Sequence, residues 1–126
     1  MTGPQSIWPA SAMRFRGGSA VGTYAIAAYR PKRGKERALR EVLKDHLTIL
    51  RKERLVTHRP SYLMRAADGT FVEVFEWKSA AAIETAHENP AVRAMWARFE
   101  AACTYESLGN LKESKDLFAN FESVEL

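Results

Sequence analysis

The sequence predicts an α+β domain whose elements follow the order β-α-β-β-α-β. Three observations predict it. Asp68-Gly69 sits between two apolar runs and is a strong hairpin signal, because both central positions of a type I′ turn need positive φ. Leu39, Val42, Leu43, Leu47 and Leu50 recur at three- and four-residue steps, the spacing of one helix face. Ser79 and Asn89-Pro90 mark two successive helix starts, since each side chain can accept a free backbone N–H and proline is tolerated at the first helical position.

The first strand is expected over Thr23 to Arg30, with Tyr24 and Ile26 opposed by Ala25, Ala27 and Tyr29. The leucine-striped helix follows from about Lys35 to Arg54. A second strand, Ser61 to Ala66, sets Tyr62 and Met64 against Leu63. After the turn, Phe71 to Trp77 is β-branched and aromatic, with Phe71, Glu73, Phe75 and Trp77 on one face and Val72, Val74 and Glu76 on the other. In the next helix Ala82, Ile83 and Ala86 face inward, and after its restart Val92, Met95, Trp96, Phe99 and Cys103 continue the stripe. The last strand is expected over Thr104 to Leu111, interrupted by Gly109. Beyond it Leu117, Phe118, Phe121 and Val124 fall on one helical side, with Ser114 as N-cap, which predicts a helical tail docked on the sheet edge or on a partner subunit.

This order implies a ferredoxin-like, four-stranded antiparallel sheet in the order 4-1-3-2 with both helices on one face. Pro60 and Gly109 then fall at edge strands, where a missing donor and weak packing are tolerated. The second face of the sheet also carries apolar residues and needs a cover. Packing it against an identical face across a two-fold axis supplies one, so a homodimer through the sheet faces is expected. The chain divides into a flexible N-terminal tail at 1–20, the domain at 21–111 and the docking tail at 112–126. No linker or internal repeat divides the domain. Met13 is a candidate alternative start. No run resembles a signal peptide or a membrane span, and the single Cys103 permits no internal disulfide, which together point to the cytoplasm.

The net charge of +4 is unevenly laid out. Arg30 to Arg59 carries 11 Lys or Arg against 4 Asp or Glu, and Glu100 to Leu126 carries 2 against 6. A basic first helix can attract anionic ligands, nucleic acid or an acidic surface. The simpler reading is a solvated face with interleaved charges such as Glu36–Arg40 and Glu41–Lys44.

Four groups stand out as chemically capable. Glu76, beside Trp77, is a candidate buried base, and equally a partner for a backbone N–H or for an arginine across the dimer. His87 ends the first helical segment, where it can simply cap the last turn. His46 lies within the leucine stripe, as a hydrogen-bonded core residue or as a pocket-lining group opposite His87. His58 precedes the second strand in a loop. The spacings 46, 58 and 87 fit no metal pattern, and no phosphate loop, Ser-His-Asp set or dinucleotide fingerprint is present.

The run FVEVFEWKSAAAIETAHENPAVRAMW resembles the third strand and second helix of the dimeric α+β barrel proteins, in particular the antibiotic biosynthesis monooxygenase-like group. Glu76-Trp77, Ser79, His87 and Pro90 carry the likeness, which spans about residues 22 to 111. The resemblance implies a sheet-face homodimer with an apolar pocket between sheet and helices. His87 would be its candidate catalytic base and His46, Glu76, Trp77 and Trp96 its lining. It implies oxygenation of a small aromatic or polyketide-like substrate with no flavin, haem or metal cofactor. The haem-degrading branch of the same group uses an iron-binding histidine on the later part of the second helix, and Ala91 to Phe99 contains none.

Two other classes fit the same topology. GTFVEVFEW superficially resembles the aromatic third-strand motif of RNA-recognition domains, but Asp68 stands where a basic residue is usual and TYAIAAYR lacks the companion motif. A non-enzymatic dimer that binds a small apolar ligand, or regulates a neighbour, needs no catalytic residue at all.

Overall fold

The structure, a computed structural model, describes residues 21–126. The segment read as an N-terminal tail, 1–20, lies outside the described residues. The elements are β1 (Thr23–Pro31), α1 (Glu36–Lys52), β2 (Tyr62–Arg65), β3 (Phe71–Trp77), α2 (Ala80–Glu88), α3 (Pro90–Ala102), β4 (Cys103–Glu106) and β5 (Glu122–Ser123). The fold is α+β with one antiparallel sheet. That sheet has five strands rather than the expected four, in the order β4-β1-β3-β2-β5.

Local chemistry accounts for most of the boundaries. Ser79 Oγ accepts from the Ala82 N–H at 3.1 Å and starts α2. Asn89 Oδ1 accepts from the Val92 N–H at 3.0 Å and starts α3, with Pro90 at its first position. At the end of α1, the Arg54 N–H donates to the Arg51 carbonyl and the Leu55 N–H to the Leu50 carbonyl. This is a Schellman ending, and it puts Arg54 at φ 61, where glycine is usual.

The hairpin turn differs from the expected type I′. Gly69 has φ 94, but Asp68 is not in the left-handed region. The Gly69 N–H donates to the Ala66 carbonyl and the Ala66 N–H to the Thr70 carbonyl, leaving a three-residue loop, Ala67 to Gly69. This is the type I turn with a glycine bulge, and Asp68 Oδ1 tightens it by accepting from the Thr70 N–H at 2.9 Å. That bond holds the Asp68 carboxyl below its ordinary range.

All three helices lie on one face of the sheet. Ala25, Ala27 and Tyr29 of β1 and Phe71, Phe75 and Trp77 of β3 join Leu39, Leu43 and Leu50 of α1, Ile83 of α2 and Trp96 and Phe99 of α3 in one core. The other face is covered only in part. Ala28, Met64, Ala66 and Val72 pack against Leu111, which is fully buried, and against Phe121. The cover comes from the chain's own C-terminal segment.

That segment corrects the expected helical tail. It contains two 3₁₀ turns, Leu108–Asn110 and Lys112–Lys115, and then β5 on the free edge of β2, with no α-helix. Ser114 caps nothing; its hydroxyl donates to the Leu111 carbonyl. Leu117 and Phe118, expected to be buried, are 91% and 76% exposed. A helix spacing puts four apolar residues on one side only if a helix forms, and Ser114, Asp116 and Asn120 instead favour turns. The last expected strand likewise ends at Glu106 instead of Leu111, because Leu108 to Asn110 curl into a turn.

Candidate functional site

Inside the core, between β1, β3 and α1, three polar side chains meet. Tyr29 of β1 and Glu73 of β3 point from the sheet toward the helices, and His46 points down from α1. The Tyr29 hydroxyl donates to Glu73 Oε1 at 2.9 Å. His46 Nδ1 donates to the same oxygen at 2.9 Å and lies 3.1 Å from Oε2. The three side chains are essentially closed to solvent.

A carboxylate among aromatic rings is costly unless it is bonded, and here two donors satisfy it. Burial, followed by the neighbouring Glu73 charge, pushes the Tyr29 hydroxyl well above its ordinary range, so it remains a proton donor. Because Nδ1 carries the hydrogen that Glu73 accepts, the other ring nitrogen, Nε2, is the free position. It is buried and has no hydrogen-bond partner among the described residues. Phe75 and Phe99 meet the His46 ring edge-on at 5.0 and 5.1 Å, and Tyr29 stacks on Phe99 at 4.9 Å.

The residues singled out from sequence fall into three places. Trp77 joins the His46 group through Phe75, at 5.4 Å between ring centroids. His87 forms a second group with Trp96, ring centroids 5.2 Å apart. Its Nδ1 donates to the Ile83 carbonyl at 2.9 Å in the last turn of α2, and its buried Nε2 is unpartnered among the described residues. No hydrogen bond links His87 to His46.

Glu76 is elsewhere again, on the face of the sheet away from the helices. Its Oε1 accepts from the Thr57 hydroxyl at 2.8 Å and pairs with Arg59 at 2.9 Å. The arginine expected across a dimer is thus supplied by the same chain. A β-carbon at Gly22 would collide with the Glu76 carboxylate, so the absent side chain there lets the strand pass.

Glu73 is the residue that the sequence reading missed. Its signal was present: a carboxylate alternating with Phe71, Phe75 and Trp77 on an otherwise aromatic face needs an internal partner. Among the described residues no group of three His, Cys, Asp or Glu side chains is placed to hold a metal ion, and no helix is long and apolar enough to cross a membrane. No protein-family model matches the chain, and neither a curated protein nor a solved structure matches it.

Proposed function

We propose that the protein is a small homodimer of the dimeric α+β barrel type that binds a small aromatic or polyketide-like molecule between sheet and helices and oxygenates it without flavin, haem or metal. The observation that carries this reading is the Glu73 carboxylate behind His46, with Nε2 as the one free position of the ring. A carboxylate on Nδ1 fixes the tautomer and orientation of an imidazole, which leaves Nε2 as the proton acceptor. Nε2 takes the proton of an enolised or phenolic substrate, and the resulting anion reduces oxygen directly. One oxygen atom then replaces the two hydrogens of a methylene carbon as a carbonyl, and the other leaves as water. His87, oriented by a backbone carbonyl without a counter-charge, is the second candidate base.

A specific observation also favours a non-enzymatic reading. His46 is only 1% exposed, and aromatic rings fill the space around it, so substrate reaches it only if Phe75 or Phe99 moves. A dimer that binds through its outer surfaces needs no such motion. Oxygen uptake against a panel of phenolic and quinol substrates separates the two. The oxygenase reading expects turnover by the wild type, a loss of roughly a hundredfold or more in H46F, the range of a single acid–base group, and little change in H87A. Equal rates in wild type and H46F would remove His46 from the mechanism, and a loss confined to H87A would transfer its role to His87. No uptake with any substrate would leave the binding dimer as the better account.

A further inference from the structure

We propose a second site, independent of the oxygenase reading: a binding cleft for a multiply charged oxyanion, such as the phosphoryl or diphosphoryl group of a small molecule, at the C-terminal end of α1. A cleft of about 430 Å³ opens there, lined by Arg51, Arg54, Val56, Thr57, His58 and Lys78. Among the described residues no carboxylate lines it. Glu53 accepts from the Asn89 side chain at 2.9 Å, and Glu76 borders the cleft through the Thr57 hydroxyl at 2.8 Å with its charge paired to Arg59.

The cleft has a built wall. The Arg51 guanidinium donates to the Arg59 carbonyl at 3.0 Å and to the Thr57 carbonyl at 3.4 Å, which fixes the loop carrying His58. The side chains of Arg54, His58 and Lys78 have no hydrogen-bond or ion-pair partner among the described residues. The unpaired charges of Arg54 and Lys78 repel each other across one concavity, and an anion with several oxygens relieves that repulsion while accepting from each.

A simpler account is that cations collect at a helix C-terminus because the helix dipole favours them there. Arg51 and Lys52, in the last turn of α1, already meet that need. The dipole does not account for Arg54. Its backbone sits at φ 61, a conformation that glycine adopts freely and arginine adopts at a cost. Backbone conformation therefore does not explain an arginine at this position, and its side chain lines the cleft.

The test is titration of the full-length chain with inorganic pyrophosphate, followed by calorimetry and by amide chemical shifts, for wild type, R54G and K78A. Wild type should bind, with affinity falling as sodium chloride is raised and shifts centred on residues 51–58 and Lys78. Loss of one charged contact should weaken binding roughly tenfold in each variant. R54G should keep or raise its melting temperature, because the strained position becomes relaxed. Absence of pyrophosphate binding by the wild type would overturn the proposal, as would R54G binding as tightly as wild type. Binding of an RNA oligonucleotide that pyrophosphate fails to displace would overturn it too, in favour of a nucleic-acid surface.

Discussion

At the scale of single residues, the core is organised by polar groups as much as by apolar ones. Glu73 lies among aromatic side chains because Tyr29 and His46 donate to it, and the three are separated by 44 and 27 positions in the chain. Such a bond is invisible to local pattern, although its participants were legible as a tyrosine, a glutamate and a histidine on inward faces. Cys103 shows the complementary effect, burial that the nearby Lys32 charge does not offset. Desolvation pushes its thiol from an ordinary value of 9.0 up to about 12. A group whose neutral form is favoured in the fold contributes stability that is complete below pH 9 and is lost as pH rises through 12. The melting temperature should therefore decline above pH 9, and C103A should delay the onset of that decline toward pH 10, where Tyr29 and Tyr105, both raised by burial, begin to contribute their own loss. The native thiol should also resist aromatic disulfide reagents at pH 8 until the chain unfolds. Native labelling as fast as labelling in denaturant would contradict its burial.

At the scale of elements, caps were the most legible feature. Ser79 and Asn89 each use a side-chain oxygen on an N–H three residues ahead, a contact within one turn that depends on nothing distant. Turn type was less legible. The Asp68-Gly69 pair suits both a type I′ turn and a type I turn with a bulge, and the Ala66–Thr70 bond that extends the register Arg65↔Phe71 selects the latter by leaving three loop residues. The C-terminal segment was least legible, because its apolar residues divide between contact and solvent. Leu111 and Phe121 cover the sheet, while Leu117 and Phe118 do not. Urea unfolding should rank them accordingly. L111A should lose about 2–5 kcal/mol, as for a buried leucine that leaves a cavity. L117S and F118S should stay within about 0.5 kcal/mol of wild type. A large loss in F118S would mean that Phe118 is buried in an assembly.

At the scale of the whole molecule, the open question of the sheet's second face has two halves. The end with Ala28, Met64 and Val72 is closed by the chain itself. At the other end Tyr62, Val74 and Ile26 form one row across β2, β3 and β1, with Tyr24 beside them. Tyr24, Ile26 and Tyr62 are each more than half exposed. Contiguous exposed apolar residues at the centre of a sheet mark an interaction surface, and the proposed dimer would set a second copy's row against them across a two-fold axis. Light scattering at micromolar concentration should give twice the chain mass of 14.2 kDa. I26K should give the single-chain mass with an unchanged far-ultraviolet spectrum. A folded wild-type monomer at that concentration would defeat the proposed dimer.

The periodicity of the leucines, the alternation along β1 and β3 and the two caps are set by residues within a few positions of one another, so reading the chain was enough to place them. Which carboxylate meets which histidine, which turn joins β2 to β3 and which half of a sheet face the chain covers for itself depend on register between distant segments. Those outcomes follow from packing, where burial of one group changes the cost of burying the next. Only the folded chain decides them.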